Sequence, residues 1–449
     1  MKQKESLEIL KTGKSVFLTG PAGSGKTFLL TEYIEYLRKN EVAVAVTAST
    51  GIAATHIGGR TIHSWCGMGI EDDLPIDKIN ALKKKEYLAR SVAFTKVLII
   101  DEISMLSAKQ LDLVNRICQM FKEDMRPFGG MQVVFCGDFF QLPPVGRNGK
   151  DVRFVTESEV WNNMDLKICY LDEQHRQSDK KFLKLLRSIR EGEVTEEMRG
   201  VLNKRLNKKI KSSITPTKLH THNIDVEAYN LRELGKIKGE ESVYEMKGEG
   251  LEKLVENMKK GSCLAPQLLG LKVGATVMFV KNNFVKHFVN GTLGKVTEFD
   301  SDSGYPLVET FDGDIIEASP EQWVIEDGKE IVASVRQVPL RLAWAITVHK
   351  SQGMSLDAAE MDLRKTFEYG MGYVALSRVR SLAGMYLVGF NDMTLKTRPE
   401  VIVLDQELQV RSDGDLKEFS GANKKEIKKM QEDFVGKIAG ARFAGGLFD

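Results

Sequence analysis

The chain has no CxxC pair. Its five cysteines, Cys66, Cys118, Cys136, Cys169 and Cys263, are odd in number and scattered along 449 residues. That spacing offers neither a disulfide framework nor a set of zinc ligands, and it points to a reducing compartment. No apolar run approaches the roughly 18 residues that a membrane-crossing helix needs, so no membrane partner is expected. The opening MKQKESLEIL mixes acids and bases, where a signal or transit peptide would show a basic and apolar block. A surplus of either charge is also missing: 64 basic residues stand against 62 acidic ones, for a net +2. Any basic channel for nucleic acid must therefore be local.

What is present is ordinary globular sequence, 42% hydrophobic and 28% charged. It is too long for one core at roughly 100 to 200 residues per domain, which predicts two to four domains. In the first third, short apolar runs at 16–18, 42–47, 97–100 and 132–135 alternate with helical stretches, one opening near Lys26. This alternation predicts a mostly parallel sheet, whose ligands bind beyond the carboxyl ends of the strands. A basic run at Lys204, Arg205, Lys208, Lys209 and Lys211 reads as a solvated helix face. From 271 to 325 the pattern becomes short alternating strands punctuated by glycine, which suggests a small antiparallel barrel. Apolar strands and helices return after Ser334, so the barrel reads as an insertion into a second α/β domain. Near the end, GANKKEIKKMQEDFVGKI reads as a basic amphipathic helix.

The stretch GPAGSGKT at 20–27 satisfies GxxxxGK[ST], follows an apolar strand and precedes an apolar-periodic helix. Glycines there let backbone N–H groups cradle phosphates at a helix N-terminus, where the dipole favours anions. Gly20, Pro21, Ala22, Gly23, Ser24, Gly25, Lys26, Thr27 and the following Phe28 are the candidate nucleotide contacts, with Lys26 on the β- and γ-phosphates and Thr27 on Mg²⁺. The run at 97–100 delivers Asp101 to Mg²⁺ and Glu102 to the attacking water, although such an acid pair can also simply cap a helix. A third strand ends in CGDFFQLPPV, placing Gln141 as a nucleotide sensor or, more plainly, as a turn residue. Arg176 and Arg378 lie beyond the expected first domain; they could serve as arginine fingers, but on spacing alone each reads more readily as a surface ion-pair residue.

Together GPAGSGKT, TASTGIAA (47–54), GGRTIHSW (58–65), DEISM (101–105), FGGMQVVFCGDFFQLPPV (128–145), LDEQHRQ (171–177), LAWAITVHKSQGMSLD (342–357) and YVALSRVRS (373–381) resemble the Pif-type (petite integration frequency) DNA helicases of superfamily 1, class B. The motifs follow the family's order from residue 3 to about 381.

The resemblance implies two RecA-like P-loop NTPase domains with an inserted SH3-like β-barrel domain. It divides the chain into a first domain at 1–170 with a wedge insertion at about 57–90, and a second at 171–225 and 335–405. A barrel insertion follows at 226–334 and a helical tail at 406–449. It also implies ATP and Mg²⁺ as cofactors, Arg176 and Arg378 as fingers on the γ-phosphate, Gln3 on the adenine edge, and a helix after DEISM that supports the DNA-binding elements. Translocation from 5′ to 3′ on single-stranded DNA is the implied activity. Thr50, Gly51, Thr61, His63, His349, Lys350 and Ser351 would hold strand phosphates without reading sequence, though either histidine can be a core residue. Trp65, Phe139 and Phe140 could stack on bases, but aromatics are more often core.

Expected partners are single strands and their junctions with duplex, including G-quadruplex DNA, met by a free monomer. Repair, recombination and telomere maintenance are the associated roles. Two departures stand out: His175 replaces the usual aromatic, and the long leading region of eukaryotic members does not appear. The second predicts a bacterial or phage protein of the cytoplasm. Alternative readings are a RecD-like or RNA-directed motor, and a nucleotide-gated clamp on single strands that does not move.

Overall fold

The computed structural model describes residues 1–438 except 70, 145–152, 178, 209–215, 260–262, 282, 284, 289–290, 311–312, 328–329 and 357. Val145, Lys209, Lys211, Asp357 and the end of the tail at 439–449 thus lie outside the described residues. The chain forms two compact units. Unit 1 holds Met1–Val194, Glu368–Ser377 and Met393–Asp449; unit 2 holds Thr195–Phe367 and Arg378–Asp392.

Unit 1 is built on six parallel strands: β1 (Ser15–Thr19), β2 (Val44–Ala48), β3 (Arg60–Thr61), β4 (Val97–Asp101), β5 (Gln132–Cys136) and β6 (Leu166–Tyr170). Their order is β3-β2-β4-β5-β1-β6. Every residue of β4 and β5 is buried, because both faces of a parallel sheet are covered. One face joins Val16, Leu18, Leu30, Ile99 and Val134 in a single core. On the other, Phe17 meets Trp161 at 5.1 Å and Phe135 stacks on Trp161 at 5.2 Å. Full burial of each such side chain stabilises by roughly 1.5 to 3 kcal/mol.

The edge strand β6 is closed by side chains of a helix. Ile168 N–H donates to Asp415 at 2.7 Å and Tyr170 N–H to the Ser412 hydroxyl at 3.1 Å. Both acceptors sit on the 23-residue helix Pro399–Gly421, which blocks further strand addition. The basic helix expected near the end spans Lys424–Ile438. It lies on the first helix, Gln3–Lys11: Gln431 donates to the Glu8 carboxylate at 2.9 Å, and Phe434 packs against the core.

Unit 2 contains a four-stranded parallel sheet in the order Ala345–Thr347, Thr217–His220, Ala359–Leu363, Met385–Phe390. Asn230 completes its edge, donating to Ala345 C=O and accepting from Ala345 N–H, both at 2.9 Å. Five antiparallel strands between Thr276 and Leu342 form the inserted β domain around Val277, Phe279, Val296, Val308 and Leu340. The basic run differs from expectation. The helix Glu196–Asn203 ends before it, and Arg205 donates to Met385 C=O and Ala383 C=O, both at 2.8 Å, so this cation is a structural tie.

Candidate active site

The phosphate loop joins β1 to the helix Lys26–Lys39. Gly25 precedes that helix at φ +84°, and a Cβ there would stand 1.9 Å from Gln3 Nε2, so the position requires glycine. Gln3 Nε2 donates to Ser24 C=O and Gly25 C=O at 3.3 Å each, which fastens the first helix to the loop. The Lys26 ammonium donates to Gly20 C=O at 2.8 Å and Pro21 C=O at 3.1 Å. Burial pulls this ammonium below its ordinary value, while Asp138 and Glu102 hold its charge. The Ser24 hydroxyl is buried without a hydrogen-bond partner among the described residues. Thr27 and Phe28 are exposed, Phe28 by 67%. A loop that carries a compensated cation and an unpaired hydroxyl is chemically suited to a polyphosphate.

Asp101 ends β4 and accepts the Glu102 N–H at 2.8 Å; burial raises its carboxyl above the ordinary range. Glu102 adopts φ +50°, ψ +44°, a left-handed conformation rare for a side-chain-bearing residue. What holds it is Ser49, which the sequence reading missed: its hydroxyl donates to Glu102 C=O at 2.7 Å and its N–H to Asp101 C=O at 3.0 Å.

Beyond β5, Gln141 Nε2 donates to Asp138 Oδ2 at 3.2 Å, while its Oε1 is buried with no partner among the described residues. Asp138 receives Arg190 at 2.8 and 3.0 Å. The other guanidinium nitrogen reaches Tyr170 Oη and Asp405, each at 3.1 Å. Arg190 is 7% exposed and lies 4.0 Å over the Phe140 ring. Burial disfavours its charge, but Asp138, Tyr373, Tyr170 and Asp405 outweigh that and hold it well above the usual arginine value. Asp138, Arg190 and Asp405 also escaped the sequence reading. A signal existed for Arg190: it continues the apolar stripe Phe182, Leu185, Leu186, Ile189 at helical spacing, and a cation on a buried stripe demands a partner.

Arg176 sits in unit 1 with the phosphate loop, contrary to its expected place beyond the first domain. The reason is local: His175 N–H donates to Gly23 C=O at 2.9 Å, tying the segment to the loop. Arg176 donates to Ser377 C=O at 3.2 Å. Arg378 belongs to unit 2, is 1% exposed, and donates to Ser351 C=O and Met354 C=O at 3.4 Å. Tyr373 adds a contact that spacing did not suggest: its hydroxyl accepts the loop amide of Ala22 at 3.0 Å and lies 3.3 Å from Arg190.

The candidate strand-binding residues fall into two groups. Thr50, Gly51, Thr61 and His63 follow β2 and β3 in unit 1. Thr50 and Thr61 accept the N–H groups of Ala53 and Ser64, both at 3.2 Å, so each hydroxyl keeps its proton to donate. Burial lowers the His63 imidazole. In unit 2, His349 and Lys350 are half-buried. Ser351 is 0% exposed, and its hydroxyl donates to Val348 C=O at 2.7 Å. Trp65, Phe139 and Phe140 are 1%, 5% and 4% exposed and belong to the core, as is more usual for aromatics than stacking on bases.

Among the described residues no three His, Cys, Asp or Glu side chains cluster into a metal site of their own. The Thr27 hydroxyl and the Asp101 carboxylate are nevertheless hard oxygen donors, which fit Mg²⁺ brought in on nucleotide phosphates.

Residues 3–200 match the model for the PIF1-like helicase family, and 255–299 match that for the 2B domain of DNA helicase Pif1. The chain is 42% identical to the ATP-dependent DNA helicase Pif1 of a Psychrobacter species, over 97% of this chain and 75% of that one. It is similar to the crystal structure of Pif1 helicase from Candida albicans, with TM-score 0.79 and 38% identity over 90% of this chain and 98% of that one. A Pif1 helicase from Bacteroides, in complex with ADP-AlF3 and ssDNA, matches at TM-score 0.70 and 33% identity over 92% of this chain and 97% of that one. With these matches reaching across most of its length, the chain belongs to the PIF1-like helicase family.

Proposed function

We propose that this chain is an ATP-dependent DNA helicase that moves 5′ to 3′ on single-stranded DNA and separates duplex or G-quadruplex DNA ahead of it, acting from a free monomer. The observation that carries this reading is the set of groups after parallel strands of one sheet. The phosphate loop follows β1, Asp101 and Glu102 end β4, and Gln141 follows β5. Ligands of such sheets bind beyond the strands' carboxyl ends. The Bacteroides relative solved with a nucleotide analogue and single-stranded DNA supports both partners. Five free, buried cysteines fit a reducing, cytoplasmic setting.

In the proposed reaction Lys26 releases the loop carbonyls to bind the β- and γ-phosphates, and loop amides cradle the rest. Mg²⁺, held by Thr27 and Asp101, would neutralise phosphate charge. Water oxygen bonds to the γ-phosphorus as the bond to the bridging oxygen breaks. The water's proton passes toward Glu102, and ADP and inorganic phosphate leave. Arg176 and Arg378 are the proposed fingers; to serve, Arg378 exchanges the carbonyls of Ser351 and Met354 for phosphate. Loss of the γ-phosphate then releases that grip, and alternation of grip on the strand gives steps.

The test is ATP hydrolysis with and without single-stranded DNA across a salt series, paired with unwinding of duplexes bearing a 5′ or a 3′ overhang. DNA-stimulated hydrolysis that weakens with salt, and unwinding from the 5′ overhang, are expected. Hydrolysis indifferent to DNA, or unwinding from the 3′ overhang alone, would refute the proposal. ATP-dependent displacement of a block from one strand end separates a motor from a static clamp.

A further inference from the structure

The two ends of a glutamine amide are alike in shape and opposite in chemistry: one accepts, the other donates. For Gln141 the surroundings decide which end goes where. Its Nε2 faces Asp138 Oδ2 at 3.2 Å. Asp138 is 1% exposed, and Arg190 donates to its two oxygens at 2.8 and 3.0 Å. A carboxylate so paired only accepts hydrogen bonds. Turning the Gln141 amide over would set Oε1 against that carboxylate, acceptor against acceptor. The remaining freedom of Asp138 is also removed, because Oδ1 accepts Phe140 N–H at 3.2 Å and Gln141 N–H donates to Asp138 C=O at 3.0 Å. What is left is Oε1, on a side chain 6% exposed, buried without a partner among the described residues. A buried acceptor without a donor is costly and calls for one.

We infer that Arg190 is a positioning residue: by fixing Asp138, it sets Gln141 so that its carbonyl oxygen, not its N–H, faces the reacting end of ATP and accepts a proton of the attacking water. Gln141 then orients the nucleophile, with one of its two N–H groups committed to Asp138. Binding of the phosphate falls chiefly to cations, and Gln141 acts mainly on the rate of attack. Tyr373 joins the device to the phosphate loop: its hydroxyl accepts the Ala22 N–H at 3.0 Å and lies 3.3 Å from Arg190. This inference rests on the proposed role of Gln141 at the nucleotide.

The experiment is a double-mutant cycle on the full chain, measuring kcat and the ATP KM with saturating single-stranded DNA. Asp138→Asn offers Gln141 a donor in place of an acceptor and lets the amide turn over. Expected is a fall in kcat on the order of 10- to 100-fold with the ATP KM changed by less than about threefold. Asp138→Asn added to Gln141→Ala should slow the enzyme no further than Gln141→Ala alone. Additive losses, or a raised KM with kcat intact, overturn the inference. A wild-type kcat in Gln141→Ala would instead sink the underlying assignment of Gln141. Melting curves check that each variant folds; should Asp138→Asn fail to fold, Arg190→Lys, which keeps the charge and loses the fork, enters the same cycle with the same outcomes.

Discussion

Replacing Arg190 by methionine should destabilise unit 1 out of proportion to the atoms removed. Methionine keeps much of the length of the arginine's apolar stem but loses the guanidinium that lies 4.0 Å over Phe140. That guanidinium is what compensates Asp138, 1% exposed, and the half-buried Asp405. Breaking a buried ion pair from one side costs about 3 to 5 kcal/mol, a large share of the roughly 5 to 15 kcal/mol that holds a typical domain.

The loss should depend on pH with a definite sign. Burial already lifts the Asp405 carboxyl above its ordinary value, and Arg190 pulls it back; without the arginine it rises further. A carboxyl whose folded pKa exceeds its unfolded one opposes folding increasingly as pH rises through the unfolded value. The deficit of Arg190→Met against wild type should therefore be larger at pH 8 than at pH 5. Denaturant unfolding reports this through Trp161, 5% exposed and stacked on Phe135, with the transition of unit 1 followed separately because two units need not unfold together. A cost under about 1 kcal/mol at pH 8, or a deficit that grows on acidification, would refute the reasoning.

Arg378→Ala should nearly abolish turnover, by roughly 10³-fold or more, while nucleotide binding persists; near-normal hydrolysis contradicts the finger role. Ser49→Ala removes the 2.7 Å hydrogen bond that holds Glu102 in its left-handed conformation. It should lower kcat by about 5- to 10-fold with little change in ATP affinity, and Ser49→Thr should recover most of that; equal losses in both variants would count against a hydrogen-bond role. Gly370→Ala places a Cβ 2.4 Å from Gln141 C=O at φ +78°. Both strain the backbone, so melting and kcat should fall together, and an unchanged melting temperature would show that the contact relaxes freely.

Much of unit 1 was legible because its signals are local. An apolar run bounded by a glycine-rich turn makes a buried strand wherever it stands, and the expected strands at 16–18, 97–100 and 132–135 lie within β1, β4 and β5. The phosphate loop declares itself through residues adjacent in the chain. Roles that depend on remote partners were not legible in that way. Phe139 and Phe140 look like stacking residues in a motif, yet their neighbours Phe17, Trp161 and Arg190 make them core. Nor does spacing say that Asp405, at the end of the expected second domain, meets Arg190 at 3.1 Å. Sequence alone determined the fold class, the family and the nucleotide loop, since periodicity and short motifs are properties of neighbouring residues. Tertiary structure decided which end of Gln141 is free, what holds Glu102 in a strained turn and where Arg176 lies. Those depend on hydrogen bonds between residues far apart in the chain, and only folding brings such groups within reach.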